Sequence, residues 1–182
     1  MTLAKGGYII SMSPIAIGIE VVPILTLLKR YDICGYIAPN NNPKARSQMA
    51  EAILRKKAGD YFNVYSAGTD PHGINPFTIK VMEEAGYVTT GQRSKHLNEY
   101  LGKVHMGIQI AVCSKAAEIC PTFPGIGMKL TWPFDDPASI TGSNDEKLAK
   151  FRSIRDQIET KIESWLQERN IETVQWQKIR EE

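Results

Sequence analysis

Cysteine is scarce in this sequence, with 3 residues in 182. A small and odd number argues against a secreted scaffold held by disulfides and predicts reduced thiols in a cytoplasm. An excess of one charge is also missing, because 22 Lys and Arg against 20 Asp and Glu leave a formal net charge of +2. No block of five like charges occurs either. We therefore expect no nucleic-acid partner.

A long apolar run is absent as well. The run at 15–28 is interrupted by Glu20 and Pro23, and its length of about 14 residues is short of the roughly 20 that a membrane-spanning helix needs. Charged residues follow it, with no small-residue cleavage site, so it does not resemble a signal peptide. For residues 1–30 we expect an N-terminal extension, which is either an extra element packed on the domain or a segment outside the fold.

The three histidines, His72, His96 and His105, lack the spacing of metal ligands, so no metal site is expected. The remaining composition is that of a globular chain. With 42% hydrophobic residues in 182, the chain can bury one sizeable core. A single domain is the expectation.

What the chain does contain is an alternation of apolar runs with helical patterns. Strands are predicted at 33–38, 62–66, 108–113 and 129–132, and helices at 47–57, from Asn75 to Gly86, and from Asn144 onward. The pattern predicts an α/β fold of three layers, a four-stranded parallel sheet with helices on both faces. The predicted domain spans 31–169, followed by a tail at 170–182. Ligands bind beyond the carboxyl ends of the strands in such folds.

The loop at 39–45 falls at one of these strand ends and leads into the first predicted helix. Backbone N–H groups and the helix dipole converge at such a point and suit a tetrahedral oxyanion. Arg46, at the helix start, can grip two oxygens at once. Taken alone, an Arg in the first turn of a helix is more often a solvated surface residue, so the surface interpretation is favoured for Arg46 by itself.

Six motifs, in order and spacing, resemble the thioredoxin-coupled arsenate reductases, which are similar in fold to low-molecular-weight tyrosine phosphatases. They are residues 45–52, 64–68, 72–76, 113–121, 134–138 and 151–156. The resemblance extends from Ala45 to about Glu168, roughly two-thirds of the chain. The anion-loop motif of that family is Cys-x5-Arg-Ser, and two further cysteines follow it in the reductases.

The resemblance implies a role for each matching residue around the anion. Arg46 would clamp arsenate, and Ser47 would support the loop. Lys44 belongs to the part of the loop that departs from the family motif, where its charge could restore some of the anion affinity. Asp136, just before Pro137, would be the general acid that protonates the departing oxygen. Alternatively, Asp136 has only a structural role, as a turn residue before the last helix.

The resemblance also implies a thiol relay. Cys113 would attack the thiol-arseno intermediate, and Cys120 would resolve the disulfide that results. Thioredoxin would then reduce the Cys113–Cys120 pair, so the implied reductant is a protein partner and no bound cofactor is expected. On residue type alone, Cys113 would be an ordinary buried cysteine at a strand end.

One position departs decisively from the family motif. Asn40 stands six residues before Arg46, where the motif has its nucleophilic cysteine, and a carboxamide is not a competent nucleophile. Pro43 also removes one N–H from the loop. Cys34 lies twelve residues before Arg46, inside the first predicted strand, so a buried structural thiol is expected there.

Three functional classes follow from this pattern. The first is an arsenate-reductase relative whose catalysis is lost or severely weakened. The second is a non-catalytic protein that binds an oxyanion, arsenate or phosphate, or serves as an interaction protein on the same scaffold. The third is a phosphomonoesterase resembling the tyrosine phosphatases, which needs the same missing thiolate.

Overall fold

The computed structural model describes the backbone of residues 31–37 and the full residues 45–69, 71–112 and 126–171. The predictions for the extension at 1–30 and for most of the tail at 170–182 lie outside these ranges. Between them the described residues form a layered α/β domain, which confirms the predicted class.

Four parallel strands form one sheet in the order β2-β1-β3-β4. They are β1 (Tyr31–Ile37), β2 (Phe62–Gly68), β3 (Met106–Ala111) and β4 (Met128–Thr131). Each lies within about two residues of the predicted bounds. Cys34 pairs with Tyr65 on one side and Gln109 on the other, so its backbone lies in the middle of the sheet.

In the described part of the chain, three α-helices connect or follow the strands: α1 (Arg46–Ala58), α2 (Pro76–Glu84) and α3 (Asn144–Gln167). The side chain of Asn75 accepts a hydrogen bond from Phe77 N at 2.9 Å and caps α2, with Pro76 in its first position, as predicted. Gly86 follows that helix with φ of +69°, a left-handed conformation that favours glycine.

The main core lies between one face of the sheet and these helices. The inward face of α3 is formed by side chains at helical spacing, all buried and all predicted: Leu148, Phe151, Ile154, Ile158, Ile162 and Trp165. They meet Met49 and Ile53 of α1 and Val81 and Met82 of α2 in the same cluster. Packing against this cluster fixes where α1 begins relative to the sheet.

A smaller cluster, with Ala67, Leu97, Met106 and Ala111, covers the other face. Among the described residues this face carries a 3₁₀ helix at Leu97–Glu99 rather than an α-helix. The register of β1 against β3 shifts between Asp32 and Ile33. This shift gives β3 one residue more than β1 at that point. Because side chains alternate along a strand, the insertion places Met106 in the smaller cluster, whereas Ile108 and Ile110 face the main cluster.

Candidate functional site

The start of α1 lies at the carboxyl edge of the sheet. Arg46 is the first residue of the helix, and its N-cap is Ala45, whose methyl side chain cannot accept a hydrogen bond. The first turn of α1 contains no acidic residue. The N–H groups of this turn therefore have no capping side chain from Ala45, and the positive end of the helix dipole is not opposed locally.

Arg46 does not extend into solvent. Its side chain is only 8% exposed, and Nη1 donates a hydrogen bond to the carbonyl oxygen of Phe134 at 2.8 Å. Nη2 lies 3.7 Å from Oδ2 of Asp136. The surface interpretation of Arg46 is wrong, because the guanidinium is anchored inside the domain by a segment from the far end of the sheet.

Asp136 begins the 3₁₀ helix Pro137–Ser139 and caps it, accepting a hydrogen bond from Ala138 N at 3.3 Å. Its side chain is 21% exposed, so the carboxylate is held by the turn but still reaches the surface. The neighbouring Asp135 is 79% exposed and pairs with Lys150 at 3.0 Å. Only the second aspartate of the pair is therefore directed at Arg46.

The segment that carries Asp136 is fixed by hydrogen bonds to the end of β3. Trp132 N donates to the oxygen of Ala111 at 2.7 Å, and Phe134 N donates to the oxygen of Val112 at 3.5 Å. Val112 directly precedes Cys113. Val112 thus lies beside Phe134, the residue that holds the Arg46 guanidinium.

Of the residues singled out from the sequence, the structure brings Arg46, Ser47 and Asp136 to one edge of the sheet. Ser47 is buried, at 3% exposure, in the first turn of α1. Asn40, Lys44, Cys113 and Cys120 lie outside the described residues.

A buried charged group on the same helix as Arg46 was missed by sequence reasoning. Glu51, one and a half turns further along α1, has a side chain only 2% exposed. Its carboxylate accepts hydrogen bonds from the Ser66 hydroxyl, from Gln92 Nε2 at 3.1 Å, and from Lys95 Nζ at 3.2 and 3.4 Å. Arg55 Nη2 also donates to it. We call these five residues the Glu51 cluster.

The signal for this cluster was present but weak. Glu51 is a charged residue in a helix that buries its neighbours Ala52 and Ile53, and Ser66 takes the same face of β2 as Phe62 and Val64. Each polar residue on an inward face needs a buried partner. Their pairing could not be read from the sequence, because Lys95 comes from a loop with no periodic pattern.

A second polar cluster holds α1 against α3 at the other end of the helix. Lys57 Nζ lies 2.9 Å from Glu159 and 2.7 Å from Glu163, and the Tyr87 hydroxyl donates to Glu159. Burial and this hydrogen bond raise the pKa of Tyr87. Burial alone would raise the pKa of Glu159, but the hydrogen bonds from Tyr87 and Lys57 outweigh it and keep that pKa below its ordinary value.

An open groove of about 900 Å³ lies along α3 beside Phe134. Its lining includes Arg152, Asp156 and Lys161 but neither Arg46 nor Asp136. Arg152, in this lining, is paired with Glu84 at 2.7 Å and is directed away from the start of α1 by that pair. We therefore place the candidate site at the start of α1 and not in the groove.

Within the described ranges, no three His, Cys, Asp or Glu side chains lie close enough together to hold a metal ion. No helix there combines the length and hydropathy required to cross a bilayer.

Comparison with known proteins gives matches over most of the chain. The family model described as low molecular weight phosphotyrosine protein phosphatase matches residues 37–177. An arsenate reductase of Halalkalibacterium halodurans is 39% identical over 120 residues, which is 66% of this chain and 86% of that protein.

Solved structures match as well. One described as an arsenate reductase in the phosphate-binding state superimposes with a TM-score of 0.62 at 22% identity, covering 76% of this chain and 98% of its own. A thioredoxin-dependent arsenate reductase of Corynebacterium glutamicum gives a TM-score of 0.56 at 22% identity, covering 78% of this chain and 63% of its own. At these identities the likeness is one of fold, and it confirms the phosphatase-like α/β architecture.

Proposed function

Because the chain belongs to the low molecular weight phosphotyrosine protein phosphatase family, we propose that it is an arsenate-reductase-like member that binds tetrahedral oxyanions and whose catalysis is impaired at Asn40. The family membership rests on a match over residues 37–177 and on arsenate reductases of comparable sequence. The substrate class and the impairment are the proposal.

The observation that carries this proposal is the meeting of Arg46 and Asp136. A buried guanidinium stands at the start of a helix whose N-cap cannot accept a hydrogen bond, and a partly exposed carboxylate lies 3.7 Å away. The first group can bind oxyanion oxygens through charge-assisted hydrogen bonds. The second can hold a proton beside a departing oxygen.

The relay implied by the family resemblance would use these two groups in its first step. A thiolate at the position of Asn40 would form a bond to arsenic while Asp136 protonates the departing oxygen, which leaves as water. A low thiol pKa is needed for this attack, and a helix N-terminus with an adjacent Arg lowers it.

Two thiol exchanges would complete the relay. Cys113 would attack the sulfur bound to arsenic, and the electron pair of the broken bond would stay on arsenic, which leaves as arsenite. Cys120 would attack Cys113 and free the first thiolate. Arsenic(V) is reduced by two electrons to arsenic(III), two thiols become the Cys113–Cys120 disulfide, and thioredoxin would return that pair to thiols.

Asn40 interrupts this sequence at its first bond, since an amide cannot take the place of the thiolate. Arg46, Ser47 and Asp136 are retained, so binding of the anion can outlast the chemistry. Lys44 would add positive charge to the loop. The roles of Asn40, Cys113 and Cys120, which lie outside the described residues, rest on the resemblance of the sequence to the family.

A second candidate function is oxyanion binding with no catalysis, and Asn40 is the observation that favours it. Inorganic phosphate and arsenate titrated calorimetrically into the native chain test this function directly. Phosphomonoesterase activity, the remaining candidate, depends on the same thiolate, and no feature of the described site favours it over the reductase.

Thioredoxin-coupled arsenate reduction, followed as NADPH consumption, tests the proposal. The native chain, N40C and the triple variant N40C/C113S/C120S should be compared at equal concentration. We expect no turnover in the native chain, turnover in N40C, and none in the triple variant.

Each result has a defined meaning. Equal turnover in the native chain and N40C would show that another thiol starts the reaction and would overturn the assignment of Asn40. Inactivity of N40C with phosphate binding intact would leave the binding function alone. Absence of both activity and phosphate binding would overturn the oxyanion site.

A further inference from the structure

The Glu51 cluster places a negative charge inside the domain, below the candidate anion site. Glu51 lies five residues after Arg46 on the same helix, so the helical rise separates their Cα atoms by about 7.5 Å along the axis. The Glu51 side chain is 2% exposed. At this depth water screens the charge poorly, and it would oppose an anion bound at the start of α1.

Two cations contact Glu51, and they differ in exposure. The Arg55 side chain is 51% exposed, whereas that of Lys95 is 9% exposed. A charge in contact with solvent is screened and neutralises a buried partner weakly at a distance. Of the two cations, Lys95 is therefore the one whose charge lies in the interior with Glu51, and Arg55 contacts the carboxylate from the surface side.

The backbone of Lys95 is held at the same edge of the sheet. Its carbonyl oxygen accepts a hydrogen bond from Gly68 N at 3.0 Å, and Gly68 also forms a bridge with His96. Gly68 is the last residue of β2. From this anchored loop the ammonium reaches the Glu51 carboxylate of α1, which also accepts a hydrogen bond from the Ser66 hydroxyl.

We propose that Lys95 is a positioning residue of the anion site, whose buried ammonium cancels the charge of Glu51 so that an oxyanion can bind at the start of α1. The inference rests on the proposed oxyanion site and deepens it. Lys95 itself does not touch the anion. Lys95 acts through Glu51, because its ammonium sets the net charge next to that carboxylate. Its backbone also ties the end of β2 to the loop that reaches α1.

The electrostatic role predicts an order of affinities that a purely structural role does not. With Glu51 made neutral, the ammonium remains and attracts the anion, so E51Q should bind phosphate more tightly than the native chain. With the ammonium removed, the carboxylate remains, so K95M should bind more weakly. The double variant E51Q/K95M should return close to the native affinity.

Phosphate dissociation constants measured by calorimetry at about pH 7 and low salt test this order. Removing the Lys95 charge should raise the phosphate dissociation constant roughly tenfold. This is the effect expected for one charge acting over about 10 Å at an effective dielectric constant of about 20. R93M is the matched control, because Arg93 is in the same loop but pairs with Glu99 at the surface, with a side chain 62% exposed. It should change the constant by less than about twofold.

Melting curves of each variant separate folding from binding. K95M removes the buried cation from the Glu51 carboxylate and can lose stability for that reason. If it does not fold, the comparison of E51Q with E51Q/K95M measures the same ammonium in a background without the buried charge. The double variant should then bind about tenfold more weakly than E51Q.

The outcomes discriminate between the two proposals. Native binding of phosphate with equal constants in E51Q, K95M and the double variant would overturn the role of Lys95 and leave the oxyanion site standing. If both E51Q and K95M bind phosphate more weakly, in proportion to their loss of melting temperature, the cluster has a structural role only. That result would also overturn the electrostatic role of Lys95. No binding by the native chain would remove the oxyanion site and the Lys95 inference together.

Discussion

The guanidinium of Arg46 and the carboxylate of Asp136 approach to 3.7 Å, although one residue follows the first strand and the other follows the last. Phe134 fixes the same guanidinium from the segment that carries Asp136. Two hydrogen bonds from that segment to the end of β3 make the approach possible. The two groups that we propose to bind an oxyanion and to protonate its departing oxygen thus meet at one edge of the sheet.

Replacing Asp136 by Asn in the N40C background should reduce turnover by roughly 10²- to 10⁴-fold, the usual contribution of a general acid. Phosphate binding by D136N should be retained, because the change removes a negative charge beside the anion. Steady-state thioredoxin-coupled kinetics and calorimetry measure the two effects separately. D135N is the matched control, since Asp135 is 79% exposed and paired with Lys150; equal losses in both variants would contradict the acid role.

Replacing Arg46 by Lys should weaken phosphate binding by about 10- to 100-fold, because a lysine keeps the charge but cannot hold two oxygens in the planar fork of a guanidinium. R46M should bind more weakly still. Calorimetric titration with phosphate measures both. R152K, at an exposed pair with Glu84, should leave the affinity unchanged, and native-like binding by R46M would exclude Arg46 from the site.

Replacing Glu159 by Gln should lower the free energy of unfolding by roughly 1–3 kcal/mol near neutral pH, because the charged hydrogen bonds to Lys57 and Tyr87 are lost. The pKa of Glu159 is lower in the folded state than its ordinary value of 4.5. Its contribution is therefore complete above about pH 4.5 and disappears as the pH falls through the folded-state pKa.

Urea unfolding of the native chain and E159Q between about pH 3 and pH 7 measures this difference. The two curves should converge as the pH falls. Y87F removes one of the groups that lower the pKa of Glu159. As the pH falls, the free energy of unfolding of Y87F should therefore start to decrease at a higher pH than that of the native chain. A constant difference across the range would contradict the pKa direction.

Replacing Phe151 by Ala should cost about 3–5 kcal/mol of unfolding free energy, because the side chain is 1% exposed and stacks on Phe77 with ring centroids 5.5 Å apart. Urea denaturation followed by circular dichroism measures the loss. L101A, at a side chain 39% exposed, should stay within about 0.5 kcal/mol of the native chain. A small effect of F151A would mean that α3 packs differently.

The α/β class, the strand positions and the buried face of α3 could be predicted because each rests on local periodicity. Leu148, Phe151 and Ile154 follow helical spacing, and Asn75 with Pro76 forms a start signal that depends only on neighbouring backbone groups. The ends of the strands and of α1 differed from the predicted ends by at most two residues. Met106 could not be assigned to its face, because the register shift in β3 reverses the alternation and arises from pairing with β1.

For the site, the sequence by itself determined which chemical groups are available: Arg46 and Ser47 at a helix start, Asp136 before a proline, and Asn40 six residues before Arg46. Only the tertiary structure decided that the Arg46 guanidinium turns inward to Phe134 and Asp136, and that Lys95 lies against Glu51. The physical reason is that local spacing fixes helices, strands and caps. Contacts between buried charges depend on how distant segments pack, and the hydrogen bonds that bring those segments together lie far apart in the chain.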